Sequence, residues 1–453
     1  MEAVFSPLAK ARWSAVFSLF MGVTCLISAE FTPVSLLTPI AQGLSISEGM
    51  AGQTVTAVGA LAMMTSLLLA PLTRHTDRRR ILLILSALLI VSNLLVAFAS
   101  NYTTLMLGRA LLGVCVGGFW SMASAVTIQL VPQKDIPRAL SILYSGVSVA
   151  TIISLPLASL LEETFGWRNV FLLSAVPGIA SFVWQYAVLP SIPPRPGNDF
   201  RGMFSLLKVR WALAGIAATI FAYGGYHSLF TYLRPYLEHG LALAPGALSV
   251  MLLAYGVANT AGTFIAGVLL NRHFRATMMG MHAALAVMAM ILFIVPGSVV
   301  VSIPLLLLWG FFFGMLCVGW TAWIALTLAD KAEIAGGLSV AAIQFSIGSA
   351  AALGGHIYDA SGMSGIFLMA SVILVGAIVL AVTSFSLYFR STGKKTLASG
   401  ARRAGAFRTA RQTADLCIPA LHAPLPNTEN PRPSSGRAIA HVLTQQHLPS
   451  LRE

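Results

Sequence analysis

Two ionisable side chains stand inside otherwise apolar runs of this sequence, Glu30 and Arg109. A charge at the centre of a bilayer costs about 2.5–3.5 kcal/mol on insertion scales, so such groups face a protein interior or a wet cavity and mark proton or ion pathways. Glu30 lies about eight residues before the end of its run, and Arg109 about seven past the start of its own. At ~1.5 Å per residue both sit roughly 10–12 Å below the same surface, close enough to pair. Protonating a carboxylate held by an arginine would release that pairing, which is a proton-operated switch. The bland alternative is an ion pair that only fixes helix packing. Glu30 is read as the proton-coupling group, and Arg109 equally as its electrostatic partner or as a structural lock.

Around Arg109, Gly113 and Gly117 are spaced by four, which permits close helix approach. Trp120, eleven positions on from Arg109, returns to within about 20° of the same helix face. Trp320 and Trp323, three apart, could present a second aromatic surface. With Phe31 and Tyr226 these rings are the expected contacts for a flat heteroaromatic solute, although core packing accounts for any one of them equally well. No nucleophile–base set, HExxH motif or Gly-x4-Gly-Lys-Ser/Thr phosphate loop occurs, and His227 and His356 stand alone. Neither an enzyme, nor ATP drive, nor a metal or cofactor is expected. The four cysteines (Cys25, Cys115, Cys317, Cys417) show no paired spacing.

The scaffold that positions these residues follows from composition. The chain has 57% hydrophobic and 9% charged residues with a mean hydropathy of +0.81, against roughly 25% charged in a soluble domain. Residues 81–99 hold no charge at all, a length that spans a hydrocarbon core of about 30 Å as a helix. The runs are continuous rather than alternating, which favours helices over a barrel. Spans are expected near 13–38, 52–73, 81–99, 102–130, 139–161 and 169–189, then 211–235, 246–270, 277–295, 301–328, 335–356 and 364–389. The first run is read as a retained span, not a signal peptide.

Fifteen basic residues fall on the N-terminus and the even-numbered connections (Lys10, Arg12, Arg74, Arg78, Arg79, Arg80, Lys134, Arg138, Arg195, Arg201, Lys208, Arg210, Arg272, Arg275, Lys331), and two, Arg168 and Arg234, on the odd ones. That bias puts both termini in the cytoplasm and explains most of the +13 net charge without nucleic acid. A Pro-rich connection, 191–210, divides the chain into bundles at 1–190 and 211–390. The remainder, 391–453, is expected to be a disordered basic tail near anionic lipid. The halves also resemble each other: Gly166-Trp-Arg-Asn-Val-Phe-Leu-Leu aligns with Gly362-Met-Ser-Gly-Ile-Phe-Leu-Met, and Gly118-Phe-Trp120 with Val318-Gly-Trp320. The fold class expected is all-α integral membrane, with twelve transmembrane helices in two pseudo-symmetric six-helix bundles.

Over about 11–390 the chain resembles the major facilitator superfamily, and within it the proton-coupled drug antiporter group. The resemblance rests on Glu30-Phe31-Thr32-Pro33, on Arg109 with Gly113 and Gly117, and on Gly166-Trp167-Arg168 with Phe171. Pro33-Val-Ser-Leu-Leu-Thr-Pro39, Ala51-Gly-Gln53, Gly117-Gly-Phe-Trp120 and Gly319-Trp-Thr-Ala-Trp323 make it most similar to carriers that export purine ribonucleosides. The resemblance implies export of inosine- or guanosine-like solutes in exchange for protons, by a monomer in a bacterial inner membrane. Export of sugars or drugs is the alternative within the same frame. The family's gate motif between the second and third helices is altered: Asp77, Arg78 and Arg79 stand near its acid and arginines, with Arg74 where the aspartate is usual. Its second-half counterpart reads Gly267-Val-Leu-Leu-Asn-Arg272. The fifth-helix antiporter motif is reduced to Ser154-Leu155-Pro156.

Overall fold

Each long apolar run is helical, as a backbone without water must be if its N–H and C=O groups are to be satisfied. The computed structural model describes residues 11–73, 75–193, 205–328 and 332–416. Lys10, Arg74, Arg195, Arg201 and Lys331 of the basic connections lie outside the described residues. So do most of the 191–210 linker and the tail from 417 on.

The first half comprises α1 (Trp13–Ser35), the short α2 (Leu37–Leu44), α3 (Glu48–Leu72), α4 (Arg78–Ala97), α5 (Tyr102–Gln129), α6 (Ile136–Phe165) and α7 (Trp167–Val188). The second comprises α8 (Arg210–Thr231), α9 (Pro245–Leu270), α10 (Arg272–Ile294), α11 (Val299–Thr327), α12 (335–361) and α13 (363–391). Among the described residues ten segments are long and apolar enough to cross a membrane, the last being the 57-residue stretch Ala335–Ser391, which breaks at Gly362. α8 has 22 residues but is less apolar, because Tyr223, Tyr226, His227, Ser228 and Thr231 sit on it, and all five are buried. Where twelve spans are expected, the described residues show ten such segments, with α8 as a further, less apolar helix and the last segment in two arms. Met1–Ser391 cluster as one compact unit; in the other, Thr392–Glu453, residues 392–416 are helical.

The repeat has a conformational signature. Gly166, which ends α6, and Gly362, which separates α12 from α13, both take positive φ (+75° and +62°), with nothing within 4 Å of a Cβ built on either. Glycine is placed there for its backbone freedom rather than for space. After Gly166, the Arg168 guanidinium lies over the Trp167 ring (4.3 Å) and donates to the Ala99 carbonyl (3.2 and 3.1 Å), pinning the start of α7 to the end of α4.

Large apolar side chains such as Ile84, Val183, Phe264 and Val379 face outward in mid-helix, a surface suited to hydrocarbon rather than water. One core cluster is confined to the first half, including Leu19, Leu82, Leu112 and Phe119. A larger one runs from the second half into one end of the first, through Leu37, Leu105, Leu155 and Phe171, and a small third one joins Val55 to Ile347 and Ala351. That end carries α2 and the odd-numbered connections and is called the far end; the opposite one is the basic end.

The Gly113 and Gly117 seam is tight: a Cβ on Gly117 would stand 2.2 Å from the Ala62 carbonyl oxygen, and one on Gly113 2.6 Å from that of Val58. Both blocking atoms are α3 backbone, which cannot rotate away. Gly117→Ala should therefore lower thermal stability in detergent, by about 1–3 kcal/mol of overpacking. Gly267→Ala, which meets nothing within 4 Å, should be neutral or slightly stabilising. Equal melting shifts for the two would overturn the packing argument.

Candidate functional site

The centre of the site begins with a proline. Pro33 lies inside α1 and has no N–H, so the carbonyl four residues earlier, that of Ala29, loses its intrahelical donor. In lipid surroundings such an orphan is costly. Arg109 of α5 supplies the missing partner: its Nη1 donates to Ala29 O at 2.9 Å, Nη2 reaches Glu30 O at 3.4 Å, and Nε reaches Thr54 O of α3 at 3.5 Å. One guanidinium, 1% exposed, thus ties three helices together.

Glu30 does not take the arginine directly. Arg109 holds the main-chain carbonyl of Glu30, while the Glu30 carboxyl oxygen Oε1 accepts from Gln344 Nε2 of α12 at 3.4 Å. The acid is 8% exposed and lies between the two halves. The depth argument brought the right residues together; the helix that meets the carboxyl went unseen.

Beside it, Phe31 packs edge-on against Phe230 of α8 (5.4 Å). Phe230 belongs to an aromatic cluster in which Tyr226 stacks on Phe313 (3.7 Å, 3°) and Trp309 (5.9 Å), and the Tyr226 and Tyr255 hydroxyls bond to each other. His227 is wrapped by Tyr226, Phe230 and Phe313, and its Nδ1 has no hydrogen-bond partner. Trp320 and Trp323 contact each other (5.5 Å); Trp320 packs on His282 and Trp323 on Trp211. Trp323 also lines a small cavity with Ile216, Thr219 and Ser339. The indole N–H groups of Trp309, Trp320 and Trp323 have no acceptor. Trp120 stacks on Tyr144 of α6 (5.8 Å, 17°), and its ring contact is with none of the residues that Arg109 holds.

A ladder of polar contacts joins the halves from Glu30 to the far end, and none of it was anticipated. Arg234 bridges Glu162 (3.0 Å) and Glu238 (2.7 Å) and donates to the Ser35 carbonyl. Glu48, at the start of α3, accepts from Tyr358 (2.6 Å) and Thr38 (2.9 Å) and meets His239 (3.2 Å). Asp359 accepts from Ser47 Oγ (2.7 Å) and the Gly49 N–H (3.0 Å), so a carboxylate of the second half sits on the N-terminus of a first-half helix, where the dipole favours it. Apart from Arg234 with Glu238, four residues on, and Thr38 with Glu48, ten apart, these partners are far apart in sequence and carry no spacing signal.

At the basic end, Asp77 caps α4 by accepting from the Arg79 N–H (2.8 Å) and holds the 189–193 strip through Ser191 Oγ (2.5 Å) and the Ile192 N–H (3.0 Å). Partial burial raises its carboxyl, but those bonds, together with the charge of Arg80, outweigh burial and hold it below the usual carboxylate range. Arg78 donates to Thr73 (2.8 Å), and Arg79 to the Tyr186 carbonyl (2.8 Å) while lying over that ring. Arg272 is exposed.

Two expectations follow. A group whose folded value is depressed contributes stability that is present above its unfolded value and lost as pH falls through the folded one. Asp77→Asn should thus remove an acid-labile increment of stability that wild type keeps at neutral pH and loses only below the ordinary carboxylate range, read as melting temperature against pH. At the centre, Pro33→Ala returns a donor to Ala29, so Arg109→Met should cost less in that background. A double-mutant cycle on melting should give a coupling of about 0.5–3 kcal/mol, and zero coupling would refute the orphan-carbonyl account.

The profile of the Major Facilitator Superfamily matches residues 13–339. The purine ribonucleoside efflux pumps NepI of Salmonella typhimurium and Salmonella typhi are each 40% identical over 375 residues, covering 83% of this chain and 94% of theirs. Among solved structures, a D-xylose–proton symporter aligns with TM-score 0.67 at 15% identity over 82% of this chain and 97% of that one. A bacterial homologue of the human lysosomal transporter Spinster aligns with TM-score 0.62 at 14% identity, over 83% and 96%. At those identities the two structures establish the shared fold.

Proposed function

This chain belongs to the Major Facilitator Superfamily, and from that premise we propose that it is a secondary active transporter that exports purine ribonucleosides in exchange for protons. The observation that carries the reading is the buried Glu30 carboxyl between the halves, hydrogen-bonded to Gln344 and adjacent to a fixed positive charge at Arg109. A carboxyl so placed is accessible to protons only through an opening between the halves, as alternating access requires. The inosine- or guanosine-like solute is supported by the pumps of that name, 40% identical over most of both chains.

In this reading the basic end faces the cytoplasm of a bacterial cell, as the positive-inside bias favours, and a monomer in the inner membrane does the work. The far end is sealed by the polar ladder, so solute enters from the basic end. Tyr226 and Phe31 meet at the seam through Phe230 and flank a flat base. Trp323, beside its cavity with an unused N–H, offers a further contact, with Trp320 behind it and Trp120 on the first half. Asp77, Arg78 and Arg79, with Arg272 in the second half, govern the basic-end gate. Arg109 stands as the positive charge beside Glu30, held in place by the main-chain carbonyls of α1 and α3.

Glu30→Gln should abolish pH-gradient-driven efflux of labelled inosine from vesicles, to less than about a tenth of wild type, while purified protein keeps its helix content and elution volume. Normal pumping by that variant would remove Glu30 from coupling. Competition by guanosine but not by sugars or cationic drugs supports the solute class, and the reverse pattern overturns it.

A further inference from the structure

One polar atom at the seam is left over. Gln344 is 5% exposed, its Nε2 donates to Glu30 Oε1 at 3.4 Å, and its own carbonyl Oε1 has no partner. An ionised carboxylate offers acceptors only, so it can take a bond from the amide N–H but has no donor for the amide carbonyl. A protonated carboxyl has an O–H as well. Acid and amide then close a ring of two hydrogen bonds, N–H to the acid carbonyl and O–H to the amide carbonyl. The second of these is the bond that Gln344 Oε1 lacks.

We propose that Gln344 is the residue through which the second half reads the proton on Glu30: the protonated acid and the amide form a two-bond ring that holds α12 against α1, and loss of the proton breaks one side of it. This deepens the proton-exchange reading and rests on it. Gln344 acts through Glu30 and is a positioning residue.

The groups around Glu30 point to the same residue. Arg109 of α5 is the charged group beside it, and its contacts are with main-chain carbonyls of α1 and α3, which do not change with a proton. α8 brings Phe230 to the neighbouring Phe31, an apolar contact. The amide of α12 alone among these changes its bonding. Nor can α12 answer a change by moving inward. It already touches α3 so closely that a Cβ on Gly59 would stand 2.6 Å from the Gln344 main-chain carbonyl oxygen and 2.7 Å from Gly348 Cα. A weakened bond therefore lets α12 move away. The same helix carries Tyr358 and Asp359, which bind Glu48 and the start of α3 at the far end, roughly 21–23 Å further along at ~1.5 Å per residue. A proton arriving from the far end would close that end behind it, the direction that exchange against an outgoing solute needs.

The test uses the full chain in nanodiscs with no solute, native cysteines replaced by alanine, and spin labels at Thr103→Cys and Val299→Cys, both exposed at the far end. Distance distributions are recorded from acid to alkaline pH. In the parent chain the short-distance, sealed population should grow as pH falls. Glu30→Gln, whose amide supplies the donor permanently, should stay sealed at every pH. Gln344→Leu should lose the pH dependence with Glu30 intact, its sealed-to-open ratio at acid pH falling roughly three- to tenfold for about one net hydrogen bond. Gln344→Asn, which keeps an amide on a shorter stem, should retain part of the response. Gln344→Met decides the matter where the leucine variant does not fold. A leucine or methionine variant that titrates like the parent overturns the proposal. Should that happen while the parent chain still exports inosine against a pH gradient, only the amide's role falls. Should the parent titrate as expected yet move no inosine, only the solute assignment falls.

Discussion

The structure turns on a carbonyl without a donor. Pro33 removes the N–H that Ala29 O would have used, at a depth where no bulk water can replace it. That oxygen needs a donor from another helix, and an arginine, with several N–H groups in a fixed fork, can supply it and bind further carbonyls at once. Arg109 answers, and in doing so it binds α1 and α3 to α5. The glycines that follow it let α5 lie directly on the α3 backbone, so the guanidinium has the reach it needs. With each of its three nitrogens donating to main chain, Arg109 leaves the Glu30 carboxyl to meet Gln344 across the seam. The acid and the arginine are neighbours that do not neutralise each other directly, and that separation is what leaves a titratable group available in the interior.

The polar ladder at the far end follows a different logic. Ion pairs such as Arg234 with Glu162 and Glu238 add little net stability once desolvation is counted, but they demand one geometry. Their value lies in register: α3, α6, α12 and the turn after α8 meet in a single arrangement, and a continuous apolar core beneath them makes that end of the molecule cohesive. The first half has its own separate core toward the basic end. Cohesion at one end and independence at the other is a mechanical asymmetry, and it allows the halves to part without either losing its packing.

Features set by local chemistry were legible in the sequence. Long apolar runs gave the helices, the aligned Gly166 and Gly362 marked a repeat whose shared chain break the structure shows, and Gly113 with Gly117 gave a close helix contact. Depth counting alone brought Glu30 and Arg109 to one level. What stayed hidden depends on pairs with no sequence spacing to betray them: Gln344 is 314 residues from Glu30, His239 is 191 from Glu48, and Arg234 is 72 from Glu162. The direct Glu30–Arg109 contact was a reasonable inference from charge, and it gave way to main-chain acceptors because Pro33 had created a stronger claim on the guanidinium. α8 reads as a weaker span for a related reason: its polar residues face protein, so it has no need of the apolarity that lipid imposes on its neighbours.

The two halves share a topology but not a way of treating buried polar atoms. A buried group without a partner costs about 1–3 kcal/mol, and among the described residues most such side-chain atoms lie in the second half. They include His227 Nδ1, His282 Nε2, the three indole N–H groups and the Gln344 carbonyl. In the first half the most demanding group, Arg109, has its donors engaged, and the unpartnered atoms besides Arg79 Nε are hydroxyls of Thr56 and Ser154. Several of the second-half atoms sit among stacked rings, where an apolar side chain of similar shape would pack without that cost. Buried polar side-chain atoms are thus largely satisfied in the first half and more often left without a partner in the second.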